Sequence, residues 1–310
     1  MNVDKHPWWQ RLTWIKACLQ FLGVLKSHES TKPQQLSEQP ETEQGHQGTM
    51  LGKSNKRPKR IAVVSPKGGV GKTTVTANLA EALVGRGHRV CAVDLDAQNA
   101  LQFHLSSDPV DPAGLASATL RADDWSSVTR QGIDKLRFLP YGFLSEAHRV
   151  RFEAAVVDGP AWLSDGLSTV DAKNIDFTVF DTPPGPSEFQ RAAVELADLV
   201  IVVVLPDAAS FITVPTVERT IESYAGTASR DFKGLFFLVN RMNEGRVLCR
   251  DVRAMLSQRL GERLVPAAVR FDAAAEEALA AQQTVLAYEP EGRAATDFDA
   301  LAAWMEQTLR

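Results

Sequence analysis

The segment KGGVGKTT, from Lys67 to Thr74, constrains the fold of this chain more than any other feature. It follows a short apolar run and precedes a Thr/Ala/Leu-rich stretch that favours a helix. Gly68, Gly69 and Gly71 allow the backbone to turn its N–H groups toward one anion, with the positive end of the next helix behind them. The sequence therefore predicts a phosphate-binding loop between a strand and a helix, a unit of α/β folds.

Each residue of this loop has an expected role toward a nucleotide and its metal ion. The amides of the glycines and of Val70 surround the phosphates, and Lys72 contacts the β- and γ-phosphates. Thr73 offers a hydroxyl to Mg²⁺, and Thr74 donates to a phosphate oxygen. The alternative is a glycine-rich turn with two solvated lysines, Lys67 and Lys72, which the flanking strand and helix disfavour.

The composition limits the classes of protein to which the chain can belong. With 310 residues, 44% of them hydrophobic, it can bury a large core, and a formal net charge of −4 argues against a globally basic nucleic-acid binder. Its three cysteines form no C-x-x-C pair, which fits a reducing cytoplasm. No apolar run reaches the roughly 18 residues of a membrane-spanning helix, and no signal-peptide pattern begins the chain. We expect a cytoplasmic protein with one main domain.

Residues 1–26 form a Trp-rich segment that differs from the rest of the chain. On a helix, residues 7–26 carry an apolar stripe that includes Trp8, Leu12, Ile15, Leu19 and Leu22. Such an amphipathic helix lies at a membrane interface, docks on a partner protein or packs on its own domain. Residues 27–52 contain almost no large apolar side chain, and the basic run KSNKRPKR follows at Lys53–Arg60. Residues 27–59 are therefore predicted as a disordered linker before a main domain at 60–310.

After residue 60 the chain alternates apolar runs with helical segments, which predicts a mostly parallel, twisted sheet covered by helices on both faces. Strands are predicted at Ile61–Ser65, Arg89–Asp94, Leu136–Pro140, Phe177–Asp181, Leu199–Leu205 and Leu235–Asn240. Helices are predicted at Lys72–Val84, Pro186–Ala197, Val214–Tyr224, Arg246–Leu260, Ala273–Ala281 and Ala294–Leu309. The run LVIVVVL is apolar at every position and predicts a central strand that is buried on both sides.

Three aspartates follow predicted strands, so we expect them at the same edge of the sheet as the phosphate loop. Asp181, in VFDTPPG, is placed to hold Mg²⁺ together with Thr73, as a Walker B carboxylate does. Asp94 and Asp96, in VDLDAQN, point the same way because side chains alternate along a strand. Asp96 is the candidate for positioning the attacking water. The alternative for this pair is a helix N-cap with an acidic first turn.

The loop departs from the general pattern G-x-x-x-x-G-K-[ST], since Pro66 replaces the first glycine and Lys67 follows it. Together with DLDAQN and DTPPG, this deviant Walker A motif resembles the MinD/ParA class of ATPases from about residue 60 onward. The resemblance implies a three-layer P-loop NTPase fold, ATP and Mg²⁺ as ligands, and a homodimer with ATP at its interface. It implies that Lys67 crosses to the nucleotide of the partner subunit while Lys72 serves its own. Asn240 resembles the class residue that reads adenine, and its alternative role is to cap a strand end.

Within this class, VDLDAQNALQFHL, LRFLPYGFLSE and the segment beginning EALAAQQTVLAYEP resemble the ATPases of cellulose biosynthesis. This implies a slowly hydrolysing switch ATPase that helps to localise or assemble the cellulose synthase secretion complex at the inner membrane. Subunits of that complex are the implied partners. The basic amphipathic tail of membrane-binding relatives is missing after Leu309, so residues 7–26 are the expected site of peripheral membrane contact.

Two other functions are possible on this fold. One is a DNA-partitioning ATPase, which is favoured by Arg246, Arg250 and Arg253 because they are neighbours on one predicted helix. Acidic residues are interspersed among these arginines, so specific nucleic-acid binding is the weaker interpretation. An iron-protein-like electron donor or cluster carrier requires paired cysteines at a subunit interface. Cys91 lies in a predicted strand and Cys249 in a distant helix, so the pattern disfavours that function.

Overall fold

The computed structural model describes residues 57–132, 134–157, 159–171, 174–225 and 231–310. The predicted N-terminal helix and most of the predicted linker lie outside these residues. The folded unit begins at Arg57, within the segment predicted as linker. The Arg57 guanidinium donates to both oxygens of the fully buried Asp198, at 2.6 and 3.0 Å. The end of the basic run therefore neutralises a buried carboxylate.

A seven-stranded sheet forms the centre of this unit. Its strands are β1 (Lys59–Val64), β2 (Val90–Asp94), β3 (Arg130–Gln131), β4 (Leu136–Leu139), β5 (Phe177–Asp181), β6 (Leu199–Val204) and β7 (Leu235–Val239). The spatial order is β3-β4-β2-β5-β1-β6-β7, and only the β3–β4 pair is antiparallel in the described residues. The six predicted strands are confirmed; the sequence pattern misses β3, whose two residues carry no periodicity.

Helices cover both faces of the sheet. They are α1 (Lys72–Gly85), α2 (Gln102–Leu105), α3 (Leu115–Arg121), α4 (Glu146–Val156), α5 (Ala161–Asp171), α6 (Glu188–Leu196), α7 (Ala208–Ala225), α8 (Val247–Leu260), α9 (Ala274–Ala280), α10 (Val285–Tyr288) and α11 (Arg293–Thr308). Single 3₁₀ turns lie at Trp125–Ser127 and Gly261–Arg263. The six predicted helices are confirmed, whereas α2 to α5 and α10 are not predicted by the sequence.

Helix α7 begins at Ala208, well before its predicted start at Val214. The sequence favours the later start because proline is common in the first turn of a helix, and Pro215 follows Val214. In the structure Pro215 lies inside the helix, and the Asp207 carboxylate accepts a hydrogen bond from the Ser210 N–H at 2.7 Å. This cap satisfies a free N–H group at the true start of the helix.

The packing of the sheet places several polar residues at one edge. All six residues of β6 are buried, which confirms the prediction of a central strand covered on both faces. Helices α1 and α11 pack on one face and α6, α7 and α8 on the other. Because the main strands are parallel, their carboxyl ends meet at one edge. The phosphate loop after β1, Asp94 in β2, Asp181 in β5 and Asn240 after β7 all lie there.

His104, in α2, makes the stability of this fold sensitive to acid. The side chain is 3% exposed, and its Nδ1 has no hydrogen-bond partner among the described residues. Burial lowers the pKa of His104 to about 4, so the unfolded chain binds a proton at a higher pH than the folded chain does. We expect the free energy of unfolding to fall by about 3 kcal/mol as the pH decreases from about 6.5 to 4, because each unit of pKa shift corresponds to about 1.4 kcal/mol.

Urea denaturation at a series of pH values measures this effect. A His104→Leu variant keeps the side chain apolar and lacks the titrating ring, so the difference between the two pH profiles isolates the histidine from the acidic residues. Parallel profiles for the two proteins would show that His104 is not buried in its neutral form.

Candidate nucleotide site

The backbone of the phosphate loop has the left-handed turns that only glycine accommodates easily. Gly69 has φ 76° and Gly71 has φ 85°, and Gly71 directly precedes the first residue of α1. A Cβ atom on Gly71 would lie 2.4 Å from Nδ2 of Asn240. Glycine is therefore required at position 71 by both backbone conformation and packing. The loop N–H groups and the N-terminus of α1 together form a site for an anion.

Lys72 is a buried cation at the base of this loop. Its Nζ lies 3.0 Å from Oδ1 of Asp181, and the side chains are 7% and 0% exposed. Thr76, one turn further along α1, donates to the carbonyl oxygen of Lys72 at 3.1 Å. The second oxygen of Asp181, Oδ2, is buried without a hydrogen-bond partner in the described residues. This carboxylate therefore has an acceptor available for one more positive or donating group.

Two buried carboxylates lie side by side next to Lys72. Asp94 and Asp181 are direct register partners in the β2–β5 pair, and both are fully buried. Burial and the neighbouring Asp181 carboxylate raise the pKa of Asp94 well above its usual range. Burial also raises the pKa of Asp181, and the Lys72 ammonium opposes that rise. The ammonium of Lys72 contacts Asp181, whose unpartnered Oδ2 is a carboxylate oxygen of the kind that divalent cations prefer. Thr73, half-buried in the first turn of α1, adds a hydroxyl.

The loop after β2 shows which of its two aspartates is structural. Asp94 accepts hydrogen bonds from the Asp96 N–H at 2.9 Å and from the Leu101 N–H at 3.0 Å, so it uses both oxygens to hold the loop. Asp96 is half-buried, and its Oδ1 accepts from the Gln98 N–H at 3.0 Å. Its other oxygen is not engaged by a hydrogen bond in the described residues. The loop-capping role is therefore observed for Asp94, and Asp96 remains the predicted water-positioning group.

Lys67 is held within its own chain. Its Nζ lies 3.1 Å from Oδ2 of Asp207, and both side chains are about one third exposed, at 35% and 39%. Burial alone would raise the pKa of Asp207, but hydrogen bonds from Ser210 and Lys67 lower it below the usual range. The ion pair places Lys67 at the N-terminus of α7, at the surface of the site and away from Lys72.

Asn240 has the structural role that was the alternative for it. The residue is 5% exposed, its N–H donates to the Val204 carbonyl at 2.8 Å, and its Nδ2 donates to the Val70 carbonyl at 2.7 Å. The amide group thus fastens β7 to the phosphate loop, as a structural cap does. Oδ1 and the second N–H of Nδ2 are left for a ligand. The expectation that Asn240 reads adenine stays a prediction.

The cavity beside Asn240 has a volume of about 90 Å³ and is lined in part by Thr74, Arg241, Phe271 and Asp272. Thr74 therefore faces the side of the loop where Asn240 lies. Arg241 and Phe271 are not predicted from the sequence, because a single arginine or aromatic residue in a loop carries no pattern. Phe271 is 48% exposed, and that exposure of a large ring is visible only in the structure.

The phosphate loop and the loop after β5 are also tied to each other. The Gly185 N–H donates to the Ser65 carbonyl at 3.0 Å, and the Thr182 hydroxyl donates to the Val63 carbonyl at 2.9 Å. The Ser65 hydroxyl donates to the Lys67 carbonyl at 3.0 Å. The sequence motif DTPPG signals the carboxylate but not these backbone contacts, which fix the distance between the two loops.

Other residues named in the sequence analysis lie away from this site or inside the core. Cys91 in β2 and Cys249 in α8 are both buried, so neither is presented at the surface of the described unit. Burial raises the pKa of Cys91 to about 12, which keeps it a neutral thiol.

Among the described residues, no helix is both long and apolar enough to span a bilayer.

Several known proteins are similar to this chain in sequence or in fold. The family model described as "Cellulose biosynthesis protein BcsQ" matches residues 59–305. BcsQ of Escherichia coli strain K12 is 28% identical over 242 residues, which cover 77% of this chain and 90% of that protein. The cell division ATPase MinD of Pyrococcus furiosus is 27% identical with a TM-score of 0.64, over 80% of this chain and 98% of its own. MinD of Pyrococcus horikoshii OT3, solved with Mg-ADP, is 25% identical with a TM-score of 0.63, over 81% and 96%.

The solved structures confirm the MinD/ParA-class P-loop fold that the deviant Walker A motif implies. The family match extends over nearly the whole described unit, from β1 into α11. The chain belongs to the BcsQ family of cellulose biosynthesis proteins, built on the nucleotide-hydrolysing fold of MinD.

Proposed function

We propose that this protein is a Mg²⁺-dependent ATPase that works as a dimerising switch in cellulose biosynthesis. The observation that carries the ATPase proposal is the buried cluster of Lys72, Asp181 and Asp94 directly below the glycine loop. Oδ2 of Asp181 is buried without a partner in the described residues, and a buried polar atom is costly unless it is paired, so the cluster supports a site for a phosphate chain and a divalent cation. The solved relative with bound Mg-ADP supports the choice of ligand.

The loop amides and Lys72 would hold the β- and γ-phosphates, and Thr73 and Asp181 would hold Mg²⁺. Bound Mg²⁺ would neutralise charge on the β- and γ-phosphate oxygens. Asp96 orients the water that attacks the γ-phosphate, through the oxygen that the Gln98 N–H does not occupy.

Removal of Mg²⁺ with EDTA should reduce ATP hydrolysis to the background rate, and excess Mg²⁺ should restore it.

The partly exposed position of Lys67 supports a proposal of dimerisation. We propose that ATP brings two subunits together and that Lys67 leaves Asp207 to reach the phosphates of the partner subunit. Hydrolysis would be slow, since each site is complete only in the dimer.

Light scattering after gel filtration should give a dimer with Mg²⁺ and ATP for an Asp96→Asn variant, which retains ATP. Adding Lys67→Ala to that variant should leave a monomer, and a dimer of unchanged stability would exclude the crossing role.

The cellular role is supported by the family match to cellulose biosynthesis proteins. We propose that the ATP-bound dimer helps to place or assemble cellulose synthase subunits at the inner membrane, with residues 7–26 as a peripheral contact. Co-purification of the tagged full chain from cells, with and without ATP, should recover synthase subunits only with ATP. Recovery of chromosomal DNA together with a centromere-binding protein would instead support the DNA-partitioning function.

The base preference of the site can be predicted from Asn240. The contact between Nδ2 and the Val70 carbonyl orients the amide, so that Oδ1 can accept from the N6 amino group of adenine, whereas guanine has an oxygen at that position. We expect ATP to bind about 10-fold or more tightly than GTP, since a buried acceptor would face another acceptor in the GTP complex.

An Asn240→Leu variant tests this interpretation by calorimetry. Both nucleotides should bind the variant more weakly, because the loop loses its tie to β7, but the ratio of the two affinities should approach one. A ratio that stays at the wild-type value would show that other groups read the base.

A further inference from the structure

A buried asparagine belongs to the same tight turn as Asp96. The Asn99 N–H donates to the Asp96 carbonyl oxygen at 2.8 Å, which closes the turn over residues 96–99. The two middle residues, Ala97 and Gln98, are exposed, whereas Asn99 is 0% exposed. The turn therefore brings a buried amide into the loop that carries the proposed water-positioning carboxylate.

The backbone conformation of Asn99 does not explain the burial of its side chain. Its φ of 51° lies in the left-handed region, which asparagine tolerates better than most residues do. Asn174 has almost the same φ, 58°, and its N–H closes a similar turn onto the Asp171 carbonyl at 3.1 Å. Asn174 is exposed, so such a turn does not require a buried amide.

The Asn99 amide is held from one side by the loop after β4. The Gly142 N–H donates to Asn99 Oδ1 at 3.2 Å. This loop is itself fixed, since the Leu115 N–H at the start of α3 donates to the Pro140 carbonyl at 2.9 Å. A flipped amide would place its NH₂ group against the N–H donor of Gly142. The contact therefore fixes which end of the amide is left for another group, namely Nδ2.

Nδ2 of Asn99 is buried and has no hydrogen-bond partner in the described residues. A buried donor is costly when it stays unpaired, so an acceptor is expected for it in the working state of the site. Asp94 already accepts two backbone hydrogen bonds, and Asp181 pairs with Lys72 on the neighbouring strand. Asp96 accepts only one hydrogen bond in the described part of the chain, and it shares the turn with Asn99.

Tyr141 is the other buried donor near this edge of the sheet. Its hydroxyl also has no hydrogen-bond partner in the described residues, and its ring packs on Phe152 in α4 with centroids 5.7 Å apart. Burial is the main cause that raises the pKa of Tyr141, followed by the Glu153 carboxylate of α4, whose effect exceeds that of Asp96. Asn99 is therefore the better candidate for a donor to Asp96.

We propose that Asn99 is a positioning residue for Asp96. When the site closes on Mg-ATP, Nδ2 donates to the Asp96 oxygen that the Gln98 N–H does not use, while Oδ1 stays on the Gly142 N–H. Catalytic hydrogen bonds commonly tighten in this way only in the complex. A carboxylate oxygen has two lone pairs, so it can accept from Asn99 and from the attacking water together. The inference rests on the proposed role of Asp96 in ATP hydrolysis.

Two variants of the full chain test the proposal. Asn99→Asp keeps an oxygen for the Gly142 N–H and a residue type that tolerates positive φ, but it removes the donor. Asn99→Gly accommodates the backbone and removes the whole side chain. Both should lower the single-turnover rate of ATP hydrolysis by about 10-fold to 100-fold, because a misplaced catalytic group loses rate on this scale. KM and the calorimetric Kd for Mg-ATP should stay within about 2-fold of the wild type, since the contact serves the chemical step.

Three further variants serve as controls. Asn174→Gly changes the same residue type in a similar turn and should leave kcat unchanged. Tyr141→Phe removes the other buried donor and should also leave kcat unchanged. In a chain that already carries Asp96→Asn, adding Asn99→Gly should change the remaining single-turnover rate by less than about 2-fold, because two residues that act through one water are not additive.

Several results would overturn the proposal. They are a normal kcat for Asn99→Asp, an equal loss of kcat in Asn174→Gly or Tyr141→Phe, a rise in KM that accounts for the lost activity, and a further 10-fold loss in the Asp96→Asn chain. If thermal unfolding shows that Asn99→Gly does not fold, Asn99→Asp decides the question. A normal kcat for Asp96→Asn would instead refute the proposed chemistry itself. A low kcat for Asp96→Asn with normal Asn99 variants would refute the positioning role alone.

Discussion

Lys72→Ala should abolish ATP hydrolysis and weaken the binding of Mg-ATP by about 100-fold or more. The ammonium group is buried at the base of the phosphate loop, where a charge-assisted contact with the β- and γ-phosphates is not screened by water. Loss of one such contact in a buried site costs about 3–4 kcal/mol, which corresponds to two to three orders of magnitude. Isothermal calorimetry and a phosphate-release assay measure the two effects.

Lys67→Ala is the matched control, because it removes a second lysine from the same loop. Lys67 is 35% exposed and paired with Asp207, so a single subunit should still bind Mg-ATP with an affinity close to that of the wild type. Turnover should be lost because the charge cannot reach the partner subunit. If Lys72→Ala bound Mg-ATP as tightly as Lys67→Ala does, the assignment of the buried lysine to the phosphates would be wrong.

The Lys72→Ala variant also needs a test of folding, since it removes the cation beside two buried carboxylates. Breaking a buried ion pair from one side typically costs about 3–5 kcal/mol, although Asp181 can limit this cost by taking up a proton. A variant with Lys72→Ala and Asp181→Asn removes both charges and should recover much of the stability. Nucleotide binding should not recover with it. This pair of results separates a folding defect from the loss of the phosphate contact.

Asp96→Asn should lower kcat by about 100-fold to 10,000-fold while Mg-ATP binding stays close to the wild-type value. An amide keeps the Oδ1 acceptor that the Gln98 N–H uses, so the loop should keep its conformation. The amide cannot take up a proton from the attacking water, and the loss of a general base typically lowers the rate by a factor of this size. Single-turnover hydrolysis at saturating ATP measures the chemical step apart from dimer formation.

Asp94→Asn is the control for this prediction, since it changes the neighbouring aspartate in the same way. Both Asp94 oxygens accept backbone hydrogen bonds, so one of them would have to become an amide nitrogen facing an N–H group. We expect that variant to lose stability and nucleotide affinity together. A normal kcat for Asp96→Asn would exclude Asp96 from the chemical step.

Much of the fold follows from local patterns in the sequence. The six main strands and six of the helices are found where they are predicted, apart from the start of α7, because apolar periodicity is set by the burial of one or both faces of each element. The short helices between β2 and β5 are not predicted, since four to eleven residues with mixed composition leave too few turns to show a period. Helix α7 begins after Asp207, whose side chain caps it. The sequence pattern instead favours a start near Pro215, because proline is common in the first turn of a helix.

The phosphate loop, the two acidic motifs and their common edge are determined by the sequence alone, because the loop conformation needs glycine and parallel strands end on one side. The use of each side chain is decided by tertiary structure. Lys72 meets Asp181 across 109 residues, Lys67 meets Asp207 across 140, and Asn240 meets Val70 across 170. Hydrogen bonds and ion pairs act over a few ångströms and carry no signature in sequence spacing, so only the folded chain can assign them.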